Sequence, residues 1–173
     1  MASIGHVLVG AAASKAYRAG QRTRWLVIAA AALWSALSLL PDADVIGFKL
    51  GVRYADPWGH RGATHSFVFV LAVAAIVGLI AGAAKLSAWR TALAALVVVA
   101  SHPVLDTMTD GGLGCALLWP FSDERFFAPW RPIPVAPIGA RFISARGLRI
   151  ALTELVLLSP LLIYALWPRR RGS

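Results

Sequence analysis

The sequence predicts an all-α fold, a polytopic membrane helix bundle with four long transmembrane helices and a short N-terminal spanning or re-entrant helix. Three observations carry this expectation. Hydrophobic residues make up 58% of the 173 residues and charged ones 14%, with a mean hydropathy of +0.68. That leaves too little polar surface to cover a soluble domain of this size. The apolar residues also fall into long runs, and a helix of about 18 residues spans roughly 27 Å, close to the hydrocarbon thickness. Finally, the runs are continuously apolar, where barrel strands would alternate. The length suits one membrane domain over 1–173.

The helices are expected in order at about 4–19, 23–41, 65–86, 90–110 and 150–168. The first is short and runs into the basic stretch Lys15 to Arg24. The second and third are charge-free over Trp25–Pro41 and Ser66–Ala84, and their Ala- and Gly-rich stretches suit close helix contacts in lipid. The fourth carries His102 and Asp106 near its end, and the fifth carries Glu154 as its one acid. A polar interfacial region over 111–149 contains Pro120, Pro129, Pro132, Pro134 and Pro137, which forbid a regular helix. Its Trp119, Phe121, Phe126, Phe127 and Trp130 beside Arg125 and Arg131 suit the headgroup layer. Such a loop either rests on the bilayer or forms a lip that guides a lipid-like substrate.

The net charge of +9 comes from 17 basic against 8 acidic residues. The basic residues cluster at the ends of apolar runs, as Lys15, Arg18, Arg22, Arg24 and as Arg169, Arg170, Arg171, a pattern of anchors beside anionic lipid. The lipid bilayer is the expected partner, and nucleic acid is not expected. Cys115 is the single cysteine, so an internal disulfide and a thiolate zinc cluster are excluded. The N-terminus lacks the early basic patch and small-residue cleavage site of a removable signal peptide, and the whole chain is read as mature.

The polar residues gather in three patterns: Leu40-Pro41-Asp42-Ala43-Asp44, His60-Arg61-Gly62-Ala63-Thr64-His65-Ser66, and Ser101-His102-Pro103-Val104-Leu105-Asp106, followed by Asp110. Consecutive spanning helices alternate direction, so all three patterns reach one side of the membrane, and His6 joins them if the first helix crosses. His102 and Asp106, spaced i, i+4, project from one helix face. Ionisable groups in an apolar run are costly and functional by default. Pro103 should kink that helix. Thr64 is a plausible N-cap for the next helix. Asp42 and Asp44 would point the same way from an extended segment. Imidazole with carboxylate oxygen suits zinc, manganese or iron, and paired carboxylates could bridge two ions. Against these stand plainer readings: His6 alone as an interfacial polar residue, Asp42 as part of a helix stop, and Asp56, Asp123 and Glu124 as solvated loop acids.

These patterns, with Leu-Leu-Trp-Pro-Phe-Ser at 117–122, resemble the bacterial inner-membrane family described as LexA-regulated, membrane-bound metal-dependent hydrolases. The match covers about residues 4–122. That family is distantly similar to zinc phospholipase C and P1-type nucleases. The resemblance implies His102 and Asp106 as a ligand pair, Asp44 or Asp42 as the upstream aspartate, His65 as the following histidine and His6 as the early one. A downstream His-x-x-x-Glu pair is absent, so one or two divalent ions are expected, zinc foremost. His60 and Asp110 then supply missing ligands or act in catalysis.

The expected function is metal-dependent hydrolysis of phosphate esters on lipid-linked or amphiphilic substrates. Asp44 or Asp110 would accept the water's proton, and Arg61 would hold a phosphate oxygen. A transporter or proton relay competes, but it needs polar residues along the helix middles, which are almost purely apolar here. A non-catalytic metal-binding membrane stress protein is the other class. Nine basic residues lie on the side opposite the site against eight on the site side, and short flanking loops weigh more. The site is therefore expected to face the periplasm, with the C-terminus cytoplasmic.

Overall fold

The computed structural model describes residues 3–17 and 23–168. Arg18, Arg22 and Arg169–Arg171, counted above among the basic anchors, lie outside the described residues. Helix α1 is Ser3–Tyr17 and α2 is Arg24–Leu39, which runs directly into a 3₁₀ segment, Leu40–Leu50. A one-turn 3₁₀ segment, Ala63–His65, precedes α3, Phe67–Ala83, and then α4, Ala88–Thr107. After an irregular region come α5, Ala145–Leu157, and α6, Ser159–Leu166. There is no strand among the described residues, only isolated bridges joining Thr109 to Ile133 and Cys115 to Phe126.

The all-α expectation stands, but the four long spans need correction. Two helices are long and apolar enough to cross a bilayer, Arg24–Leu50 and Ala88–Thr107. The last expected helix is broken: α5 and α6 meet at 68° and count as a third crossing only if the bent pair is one span. The cause is Pro160, which lacks an N–H and crowds the carbonyl of Val156. Helix α3 has 17 residues. It starts later than expected because Ser66, and not Thr64, is its N-cap, the Ser66 hydroxyl accepting the Phe69 N–H at 3.1 Å. Lys85, at φ 58°, turns the chain just beyond it.

Helices α3 and α4 form a hairpin; α1 packs on α2, and both lie against α4. At Gly10 a Cβ would stand 2.3 Å from Ser35 Cα, so only a bare backbone lets α1 and α2 approach this closely. The core between the helices is formed by Trp34, Val70, Val73, Ala74, Ala95, Val98 and Val99. Lys15, expected as a membrane anchor, is buried, and its ammonium donates to the carbonyls of Tyr164 and Trp167. It thus satisfies backbone groups left open at the end of α6.

Depth follows from helix geometry. Sixteen α-helical residues and the start of the 3₁₀ segment place Asp42 roughly 30 Å along the axis from Arg24, about one hydrocarbon thickness.

Candidate metal centre

Four chain segments meet at the end of the bundle where α2 gives way to the 3₁₀ segment. Helix α1 brings His6, the 3₁₀ segment brings Asp42 and Asp44, the loop before α3 brings His60, Arg61 and His65, and α4 brings His102 and Asp106. The expected convergence on one face is therefore present. The extended geometry expected for Asp42 and Asp44 is not. In a tightly wound 3₁₀ turn the two carboxylates diverge and take opposite sides of one imidazole. Asp42 Oδ1 lies 3.7 Å from His65 Nε2, while Asp44 Oδ2 lies 3.3 Å from His65 Nδ1.

On the Asp44 side hydrogen bonding is nearly complete. Asp44 accepts from Thr64 Oγ1 at 2.7 Å and from the Arg61 N–H at 3.1 Å, and it contacts His60 Nδ1 at 2.7 Å. Thr64, displaced from its expected capping role, belongs to this set. Arg61 sits at φ 62°, a left-handed conformation costing a non-glycine residue roughly 1–3 kcal/mol. Gly62 follows, where a Cβ would lie 2.2 Å from the carbonyl oxygen of Pro57. This tight turn directs His60 to Asp44 and Arg61 to Asp106.

On the Asp42 side, oxygen and nitrogen atoms face each other without hydrogen bonds. Asp42, His65, His102 and Asp106 each bring one ligand-type atom, all within 4.8 Å of one another. Asp42 Oδ1, His65 Nε2 and His102 Nε2 are buried and make no hydrogen bond. The other nitrogen of each imidazole is engaged. His102 Nδ1 donates to the Ser38 carbonyl at 2.7 Å, which leaves a lone pair on Nε2 of a neutral ring, 3.3 Å from Asp42 Oδ1. His65 Nδ1 faces Asp44 and Thr64. Carbonyl- or carboxylate-oriented imidazoles with their second nitrogen free are the outer support that metal-ligating histidines use. Two lone pairs facing each other at this distance require a cation or a proton between them. His65 is the ring on which the carboxylates favour a proton: burial opposes its charge, but Asp106, Asp42 and Asp44 raise its pKa to about 10.

His6 completes the enclosure. Its ring stacks on His102 at 3.7 Å between centroids, and its Nε2 lies 3.6 Å from Asp106 Oδ1. Arg61, fully buried, approaches Asp106 Oδ2 with Nε at 3.0 Å and donates from Nη1 to Thr109 Oγ1 and the Gly111 carbonyl. It is thereby committed to Asp106 and the loop after α4. Gly112, at φ 89°, closes on this guanidinium: a Cβ would meet Arg61 Nη1 at 3.0 Å. Asp110 is not brought to the centre; it is exposed and its carboxylate accepts the Val135 N–H at 2.7 Å. A second triplet of possible ligands, Asp44, His60 and His65, shares His65 with the first group.

Two supporting residues escaped the sequence reading. Arg125 donates to the carbonyls of His60, Tyr54 and Asp56 and so holds the loop that carries His60. Its position in a Pro-rich aromatic loop suggests only an interfacial charge. Tyr54 meets the His60 ring edge-on at 5.2 Å, and burial raises its phenol pKa despite the opposing charge of Arg61. Asp42 is the opening of the centre: its side chain is 23% exposed, while those of His65, His102 and Asp106 are at 0%.

The profile of the YdjM inner membrane protein family matches residues 1–171. The inner membrane protein YbcI of Escherichia coli (strain K12) is 44% identical over 143 residues, covering 78% of this chain and 81% of that protein. No solved structure matches the chain.

Proposed function

The chain belongs to the YdjM inner membrane protein family, and on that premise we propose that it is a metal-dependent hydrolase of phosphate esters carried on amphiphilic or lipid-linked molecules. The observation that supports this most is the convergence of Asp42 Oδ1, His65 Nε2 and His102 Nε2, buried and without hydrogen bonds, beside Asp106. Those residues would hold a divalent ion, zinc first and manganese or iron as alternatives, with His6 closing the side next to His102. Asp44, His60 and His65 form a second possible ligand set, but in this reading they support the first ion and do not hold one of their own. A divalent ion there supplies a Lewis acid that activates water and offsets charge on phosphate oxygens.

The protein's own groups have separable tasks in this reading. Asp44 orients His60, an imidazole–carboxylate pair of the kind used for general acid–base work. Arg61 orients Asp106 instead of meeting phosphate, and Asp110 has no part in the chemistry. The depth of Asp42, about one hydrocarbon thickness from Arg24, matches a phosphate at headgroup level with its tail in lipid. The proposal includes a periplasm-facing centre, a cytoplasmic C-terminus and expression under LexA control. A reporter fused after Arg171 that is accessible from outside would overturn the orientation.

The near-closure of the centre favours a second reading, a non-catalytic metal-binding membrane protein. The test is metal analysis of the purified protein together with phosphodiesterase and phosphatase assays in mixed micelles. The hydrolase reading expects bound metal, turnover, and loss of both in Asp106→Ala. Bound zinc without turnover, or turnover undiminished in Asp106→Ala, would leave it untenable.

A further inference from the structure

Helix α1 carries His6 but has no acidic residue of its own in its first turn. The first N–H groups of a helix need acceptors from elsewhere, and a carboxylate there also meets the positive end of the helix dipole. Glu154 of α5, fully buried, supplies one: its Oε2 accepts the Gly5 N–H at 3.1 Å, 149 residues away in sequence. At the far end of α1 the arrangement is reversed, and Lys15 donates to the carbonyls of Tyr164 and Trp167 on and just after α6. Gly5 and Lys15 are ten residues apart, about 15 Å along α1, and their partners Glu154 and Tyr164 lie on either side of the 68° bend between α5 and α6, so α1 is held at two separate points. Together they fix how far α1 is advanced along the α5–α6 pair. A slip of one helical turn, about 5.4 Å, would carry His6 off the His102 ring, against which it now stacks at 3.7 Å.

We infer that Glu154 is a positioning residue for the candidate metal centre, setting His6 against His102 and Asp106 by holding the first turn of α1. The C-terminal helix pair, which contributes no ligand, thereby takes part in building the centre. This inference rests on the metal reading above for its consequence, but not for its mechanical part.

Two measurements on the full-length protein test it. Zinc affinity is measured for Glu154→Ala alone and combined with His6→Ala. The expected result is about tenfold weaker binding in the single variant, the size typical of losing an outer support. No further weakening should occur once His6 is absent. Glu154→Gln, which keeps an oxygen acceptor for the Gly5 N–H, should bind within about threefold of wild type, a small part of that range. Equal weakening by Glu154→Ala in both His6 backgrounds, or a Gln variant as weak as Ala, would overturn the inference. Amide hydrogen exchange over residues 5–9 in metal-free protein is the second measurement, and it should accelerate in Glu154→Ala. If wild type binds no metal but exchange still accelerates, the clamp stands and the metal reading fails. If wild type binds zinc and neither exchange nor affinity responds to Glu154→Ala, the clamp fails.

Discussion

On one side of the His65 ring Asp44 contacts Thr64, the Arg61 backbone and His60, and no buried atom of its carboxylate lacks a hydrogen bond. On the other side Asp42, of the same residue type and two positions earlier, presents a buried oxygen to two imidazole nitrogens with no hydrogen bond among them. Leaving a buried polar atom unpaired costs roughly 1–3 kcal/mol. A fold that tolerates three such atoms in one place is arranged for something that satisfies them together. The difference teaches that a ligand set can be told from its support by which atoms remain open, even when both are built from aspartate and histidine.

The largest effect should come from the open side. His102→Ala removes a ligand nitrogen and its stacked partner for His6, and metal content and turnover should both fall to background. Next, His60→Ala should keep its metal but lose about 10²–10⁴ in turnover, the usual worth of a general acid–base group. Equal loss of metal in the two variants would erase the distinction between the sides. Asp44→Asn alters support alone, and zinc affinity should drop about 10–100-fold with ligands intact; isothermal titration with zinc measures it.

The smallest effect lies outside both sides. Burial raises the Cys115 thiol from its ordinary 9.0 to about 12. A neutral thiol is thus favoured in the fold, with a contribution to stability that is complete below pH 9 and lost as the pH rises through about 12. Iodoacetamide at pH 8 should leave folded protein unmodified and metal content unchanged, while the unfolded chain reacts. Rapid modification of the folded protein would show the Cys115 environment to be open.

The sequence made the ligand region legible where chemistry conflicts with surroundings. His102 and Asp106 stand out because they interrupt an apolar run, and helix alternation then brings His6, His60 and His65 to the same end. What stayed hidden depended on local geometry. The 3₁₀ winding of Leu40–Leu50 separates Asp42 from Asp44, and no periodicity in so short a segment distinguishes it from an extended one. Thr64 and Ser66 are both cap-forming types, and Thr64 is drawn away because its hydroxyl donates to Asp44. Arg61 carries no sign that it is buried. Lys15 and Glu154 read as an anchor and a stray acid because their partners lie 149 or more residues away. The four-span count failed in two places: the cap at Ser66 shortens α3 to 17 residues, and Pro160 breaks the last helix, an effect that depends on whether neighbouring helices let the chain bend.

The central claim is that Asp42, His65, His102 and Asp106 form a metal centre. Its most direct test is the metal content of protein purified in detergent, loaded with zinc and dialysed. Wild type should retain one zinc ion per chain, and His102→Ala none. Wild type emerging free of metal, or His102→Ala retaining as much as wild type, would contradict the account.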